Sequence, residues 1–181
     1  MCMALFEGLT IEDFERLPDA LAVGHELVDG KLVDVSGNKP YHNWLRDLLV
    51  VLLTPVVQER KLGRIISEQE YDFEGNAHGP DVTFVEAWKV NLFDPDLRVQ
   101  RFVPDLAIEI VSKRDTFDRL INKAKRYRYC GTREVWVLDP KNRLAFVLAE
   151  DRQTILDDNA LLQSILIPGF SIRLGDLFDR I

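Results

Sequence analysis

Val103-Pro-Asp-Leu-Ala-Ile-Glu-Ile-Val-Ser112 is the stretch that decides the fold. Leu106 to Val111 is apolar and rich in strand formers except at one position, Glu109, so the segment reads as a buried strand with a carboxylate set into it. Strand formation does not ask for that charge. A buried ionised carboxylate is costly unless a metal ion, a lysine or a hydrogen-bond network compensates it. Immediately downstream, Leu120, Ala124 and Tyr127 recur at helical spacing with Lys123 at the border of the stripe, which predicts a helix from about 116 to 129. Gly131-Thr-Arg-Glu-Val-Trp-Val-Leu-Asp-Pro140 then reads as a second apolar strand. The strand–helix–strand order points to an α/β domain.

Outward from this unit, Thr10 with Asp13 has the spacing of a capping box, and Ile11, Phe14 and Leu17 predict a short helix ended by Pro18. His25-Glu-Leu-Val and Lys31-Leu-Val-Asp flank Asp29-Gly30, a two-residue hairpin turn. Pro40 opens a longer helix marked by Trp44, Leu45, Leu48, Leu49, Leu52 and Val56, which Pro55 is expected to kink or end. Strands are expected around 65–67, 69–73 and 80–85, a hairpin over 135–148, a strand over 161–167 and a short final helix near 174–178. Residues 86–101 show no regular pattern. The expected architecture is a mixed central sheet flanked by helices, in a single domain spanning 1–181.

Composition sets bounds. The formal charge of −7 argues against a protein that coats nucleic acid by charge alone. It leaves room for a nuclease, whose metal cleft gathers acids. The two cysteines, Cys2 and Cys130, form no motif, as in a reducing cytoplasm. Met1 to Leu9 contains Glu7 and no basic segment, so no secretory leader is expected, and the apolar run 48–53 is too short to span a membrane. His25, His42 and His78 are not spaced as ligand pairs, which ranks zinc hydrolases low. No basic stripe, zinc finger or helix-turn-helix marks a recognition element.

Strand alternation puts Asp105 and Glu109 on one face, but about 13 Å apart at ~3.3 Å per residue. They cannot share an ion held at about 2.1 Å. The partner of Glu109 must come from another strand. Asp81, in a second Pro-Asp at the head of a second apolar strand, is the best candidate. A helix returning over the sheet would aim Lys123 at both. Two carboxylates, a divalent ion and a lysine suffice for metal-assisted phosphodiester hydrolysis.

Pro80-Asp-Val-Thr-Phe-Val85, Pro104-Asp-Leu-Ala-Ile-Glu-Ile-Val-Ser112, Lys123-Ala-Lys-Arg-Tyr127 and Gly131 to Pro140 together resemble the Uma family of putative restriction endonucleases, within the PD-(D/E)xK nuclease superfamily. His25 to Val33 and His42 fit as well, so the resemblance runs from about residue 10 to the end. It implies a restriction-endonuclease-like fold, with Mg²⁺ (Mn²⁺ as substitute) held by Asp81, Glu109 and Ile110, and DNA as substrate. The superfamily's lysine would stand at Val111; here it is displaced to Lys123. Catalytic roles are thus expected for Asp81, Glu109, Lys123 and Glu26, the last as an acid able to help hold a metal or a water. Its alternative is a solvent-facing hairpin charge. His42 is a candidate for contacting a carboxylate or phosphate, or a cap-region residue; Tyr127 orients Lys123 or packs in the core. Asp105 caps its strand or meets Arg101. A homodimer is expected, with apolar surface near Trp136 or in 86–101 as its contact. Against the Mg²⁺-dependent endonuclease stands a catalytically inactive binding or assembly module on the same fold.

Overall fold

A computed structural model describes residues 8–36, 39–112 and 117–181, the side chain of residue 117 excepted. Helix α1 (Ile11–Glu15) starts at Thr10 with a reciprocal capping box to Asp13. Helix α1 stops ahead of Pro18, as expected, and Pro18 stands at the N-cap of a second short helix, α2 (Asp19–Ala22). Strands β1 (His25–Val28) and β2 (Lys31–Asp34) pair through Asp29-Gly30, with φ of 49° and 76°, the left-handed conformation such a turn requires. Helix α3 (Pro40–Glu59) buries Leu45, Leu49, Leu53 and Val57, spaced one turn apart. It runs through Pro55 to Glu59, so of the two expected effects, a kink or an end, Pro55 does not end it.

After α3 come β3 (Gly63–Ser67), β4 (Glu70–Asp72), β5 (Ala77–His78) and β6 (Val82–Glu86). The irregular region holds a 3₁₀ turn (Lys89–Leu92) and β7 (Val99–Gln100). The central unit is β8 (Leu106–Ile110), α4 (Phe117–Tyr129) and β9 (Glu134–Asp139). Then follow β10 (Leu144–Ala149), β11 (Arg152–Leu156), β12 (Leu161–Gln163), β13 (Ser171–Arg173) and α5 (Leu174–Phe178). The start of the predicted helix at 116 lies outside the described residues.

Two larger sheets form, where the sequence suggested one. The mixed six-stranded sheet has the order β11-β10-β9-β8-β6-β3, with β8 and β9 parallel across α4 and the other neighbours antiparallel. A second, five-stranded sheet has the order β2-β1-β5-β4-β7. Strand β8 is buried at all five positions, as a central strand covered on both faces should be. Leu106, Ile108 and Ile110 pack with the α3 leucines and with Leu174, Leu177 and Phe178 of α5. Ala107 faces the opposite layer, with Leu120, Ala124 and Tyr127 of α4. Glu109 belongs to this second face by strand alternation.

Two of the expected alternatives are not met here. Trp136 is fully buried, so it supplies no exposed surface for a second copy; the apolar side chains open to solvent in 86–101 are Trp88 and Leu92. Asp105 does not meet Arg101. Its carboxylate accepts the Glu86 N–H at 2.9 Å and pairs with Lys89 at 2.8 Å, while Arg101 pairs with Glu12 and Asp72. Asp105 thereby fastens the end of β6 to the start of β8. Among the described residues no helix is long and apolar enough to cross a membrane.

Candidate active site

The β6–β8 ladder includes Val82 opposite Ile108. One step further along the same antiparallel register, Asp81 falls opposite Glu109, on neighbouring strands about 4.8 Å apart. The Ile110 N–H donates to Asp81 Oδ2 at 2.7 Å, which locks the first acid beside the second. On the other oxygen, His42 Nε2 lies 3.2 Å from Asp81 Oδ1. Burial works against a charge on His42, but the hydrogen bond and charge of Asp81 outweigh it and raise its pKa.

Helix α4 lies on the face of β8 that Glu109 shares. Lys123 Nζ sits 3.0 Å from Glu109 Oε1 and 2.8 Å from Glu26 Oε1. One turn on, the Tyr127 hydroxyl donates to Glu109 Oε1 at 2.7 Å. Glu26 comes from the other sheet, on β1. It is 3% exposed, so it is not a solvent-facing hairpin charge. The Gly79 N–H donates to its Oε1 at 3.1 Å, and His78 Nδ1 lies 2.9 Å from its Oε2. The Tyr127 ring stacks on Phe73 with centroids 4.2 Å apart and meets His78 edge-on at 5.7 Å.

Electrostatics in this cluster follow from one ammonium facing two carboxylates. Burial opposes the charge on Lys123, but Glu109 and Glu26 outweigh it and raise its pKa, so it stays an ammonium. Burial also opposes ionisation of Glu26, yet Lys123 and His78 together hold its carboxyl well below the usual range. Glu109 receives less. Burial pushes it up to about 7 against the pull of Lys123, and the charges of Asp81 and Glu26 add to the rise. Burial lowers the pKa of His78 in spite of Glu26, which favours the neutral ring donating from Nδ1. Burial and Glu109 raise Tyr127 well above the ordinary phenol range, so it remains a donor.

The imbalance bears directly on a metal. Glu109 and Glu26 share a single ammonium, and Asp81 faces His42, so Lys123 alone does not match the carboxylates of the cluster. Among the described residues no three His, Cys, Asp or Glu side chains gather into a metal cage. Mg²⁺ does not need one, since it usually takes one or two carboxylates and keeps several waters. Asp81 and Glu109 would supply those carboxylates, and Ile110, whose N–H bonds to Asp81, would offer its main-chain oxygen. The donor set therefore fits a hard divalent cation.

These groups line one cleft of about 750 Å³, bordered by β1, the start of α3, β8 and α4. It brings together the predicted residues Glu26, His42, Asp81, Glu109, Ile110 and Lys123, with Tyr127 buried behind them. His78 was not singled out in the sequence. Its only mark there is its place three residues before Asp81, and a lone histidine is too common to be read.

The family model described as Uma2, "Putative restriction endonuclease", matches residues 11–175, and the chain belongs to that family. A solved structure described as a "putative nuclease belonging to DUF820" from Anabaena variabilis superposes with a TM-score of 0.84. The match covers 94% of this chain and 98% of that one at 20% identity, a likeness of fold. The chain thus has the restriction-endonuclease-like nuclease fold. No curated protein matches it.

Proposed function

We propose that this protein is a cytoplasmic, Mg²⁺-dependent endonuclease that hydrolyses phosphodiester bonds in DNA. The observation that supports it best is the convergence of Asp81 and Glu109 from adjacent strands, with Lys123 arriving from α4 at 3.0 Å from Glu109. Asp81, Glu109 and the Ile110 carbonyl would hold the ion, and Mn²⁺ suits the same oxygens. When bound, the ion polarises the phosphoryl oxygens and lowers the pKa of a nearby water.

The chain's own residues divide the remaining work. Lys123 is held as an ammonium, so it acts as a hydrogen-bond donor and a fixed positive charge, not as a base. It positions the attacking water and stabilises the charge that builds on the phosphoryl oxygens. Glu26 anchors the ammonium, with His78 and the Gly79 N–H fixing Glu26 in turn. Tyr127 fixes Glu109, and His42 fixes Asp81. The reaction forms one phosphorus–oxygen bond from water and breaks one to a sugar oxygen, leaving a phosphomonoester and a hydroxyl. Two copies would pair, with Trp88 and Leu92 among the exposed apolar side chains available to the contact.

A nicking assay on supercoiled DNA tests the reading. Cleavage is expected with millimolar Mg²⁺ and none with chelator. Asp81→Ala is expected to lose at least on the order of a hundredfold, the scale of one removed electrostatic stabiliser. Equal cleavage by the wild type and Asp81→Ala would reject the assignment and leave the binding-module alternative.

A further inference from the structure

Past the carboxylates the cleft is lined by His25, Glu70, Gly79, Leu97 and Arg98, a notch at one end of the five-stranded sheet. Continuing the β1–β5 and β4–β5 registers, Gly79 of the segment after β5 falls between His25 on β1 and Glu70 on β4, and Glu70 is paired in turn with Val99 on β7. A Cβ at Gly79 would meet the Glu70 side chain at 3.5 Å. Gly79 is also two residues before Asp81 and donates to Glu26, and Glu26, Asp81 and Glu109 line the same cleft as Glu70 and Arg98, so the notch adjoins the proposed reaction centre.

The notch wall has unmet hydrogen-bonding capacity. Among the described residues, the buried polar atoms without a partner include His25 Nδ1, Glu70 Oε2 and Arg98 Nη1, all from residues lining this cleft. Arg98 is not loose. Its Nη2 donates to Asp19 at 2.6 Å, and its guanidinium lies 5.7 Å over the Phe14 ring, which leaves Nη1 as a fixed spare donor. Glu70 lies near enough to Arg98, Glu26 and Glu15 to respond to their charges. A donor and an acceptor left unpaired in a cleft wall carry their desolvation cost until a ligand edge satisfies both.

We propose that this notch reads the edge of an unpaired base next to the scissile phosphate, with the Glu70 carboxylate accepting from an exocyclic amino group and Arg98 donating to the neighbouring ring nitrogen. This rests on the hydrolase reading above. Cytosine and adenine present that pattern. Uracil and thymine present the reverse, a carbonyl beside a ring N–H, and place an acceptor against an acceptor. An extruded or single-stranded base is required, because the Watson–Crick edge is used in a duplex. Burial raises Glu70 to about 7 against the pull of Arg98, with Glu26 and Glu15 adding to the rise. The neighbouring His25 also faces this row. The acceptor form therefore dominates above neutrality, and the discrimination should weaken as pH falls.

The test measures binding without turnover. Single-stranded oligonucleotides of dC and of dU are titrated by fluorescence anisotropy in chelator, at about pH 8 and about pH 6. The wild type is expected to bind dC on the order of tenfold more tightly than dU at the higher pH, and less selectively at the lower. Glu70→Gln, whose amide can donate or accept, is expected to bring the ratio close to one, and Arg98→Gln to reduce it. The ratio is internal to each variant, so a folding defect that weakens both complexes does not imitate the result. An equal affinity of the wild type for both oligonucleotides, or an unchanged ratio in Glu70→Gln, overturns the proposal. Cleavage by the wild type without base preference would sink this inference alone. Base-selective binding without Mg²⁺-dependent cleavage would sink the hydrolase reading instead.

Discussion

Lys123 touches Glu26 and Glu109 together, and its removal leaves two buried carboxylates facing each other. Breaking a buried ion pair from one side costs about 3–5 kcal/mol, so Lys123→Met should lower the unfolding free energy read from urea denaturation by that much and abolish nicking. Retained stability in the variant would show that the two acids do not depend on the ammonium. Tyr127→Phe is the finer probe. It keeps the ring that stacks on Phe73 and removes only the donor to Glu109, a charge-assisted bond worth about 1.5–3 kcal/mol. A loss in that range is expected, together with a further rise of the Glu109 pKa, readable by carboxyl NMR. An unmoved Glu109 resonance would count against the bond. The same residues show what can be read from sequence. Glu109 is legible because an acid inside an apolar strand has no local explanation, and Lys123 because helical spacing places it beside a buried stripe. His78, Glu70 and Arg98 are not, because each meets its neighbours across strands whose register the chain does not announce.

Elements carry a different kind of constraint. Gly63 opens β3 opposite Glu86 of β6, at φ 153°. A Cβ there would stand 1.9 Å from the Val85 carbonyl oxygen and 2.9 Å from its carbon. Both are main-chain atoms inside a ladder and have little room to yield. Gly63→Ala is therefore expected to cost at least about 1–3 kcal/mol, seen as a lower thermal midpoint, whereas an unchanged midpoint would mean that the strands part there freely. This edge matters to the site because β6 delivers Asp81 to β8. Most elements are visible in the sequence: the Thr10–Asp13 box, the Asp29-Gly30 turn and the β8–α4–β9 unit each have a local signature. Strand β11 is missed because Arg152 to Leu156 is nearly all exposed and lacks an apolar face. The helix crosses Pro55 because its packed stripe, Leu45 through Val57, outweighs one lost hydrogen bond. The division into two sheets is not legible, since β5 and β7 are two residues each and their pairing is decided by distant partners.

At the scale of the whole molecule, the site and the stability of the fold are linked through protons. Glu109 and Glu70 have folded pKa values raised from 4.5 to about 7. Between those values the folded chain holds protons that the unfolded chain has released. Their contribution is complete below about pH 4.5 and is lost as pH rises through about 7. His42, also raised, acts in the same direction at higher pH. Glu26 acts oppositely: its pKa is depressed, so its contribution is present above about pH 4.5 and lost only in strong acid. His78, lowered from 6.5 by burial, acts against them below about that pH, so the metal-free protein should lose stability chiefly from about pH 6.5 to about pH 8. A divalent cation held as proposed by Asp81 and Glu109 would compete with the proton on Glu109 and bind the folded state alone, and so would restore what the pH rise removes. The gap in thermal midpoint between millimolar Mg²⁺ and chelator is expected to widen steadily across that range, and to shrink at the upper end in Glu109→Gln, which leaves one of the two carboxylates. A gap that stays constant with pH, or one that Glu109→Gln leaves untouched, would place the ion elsewhere and separate the fold's proton balance from the cleft.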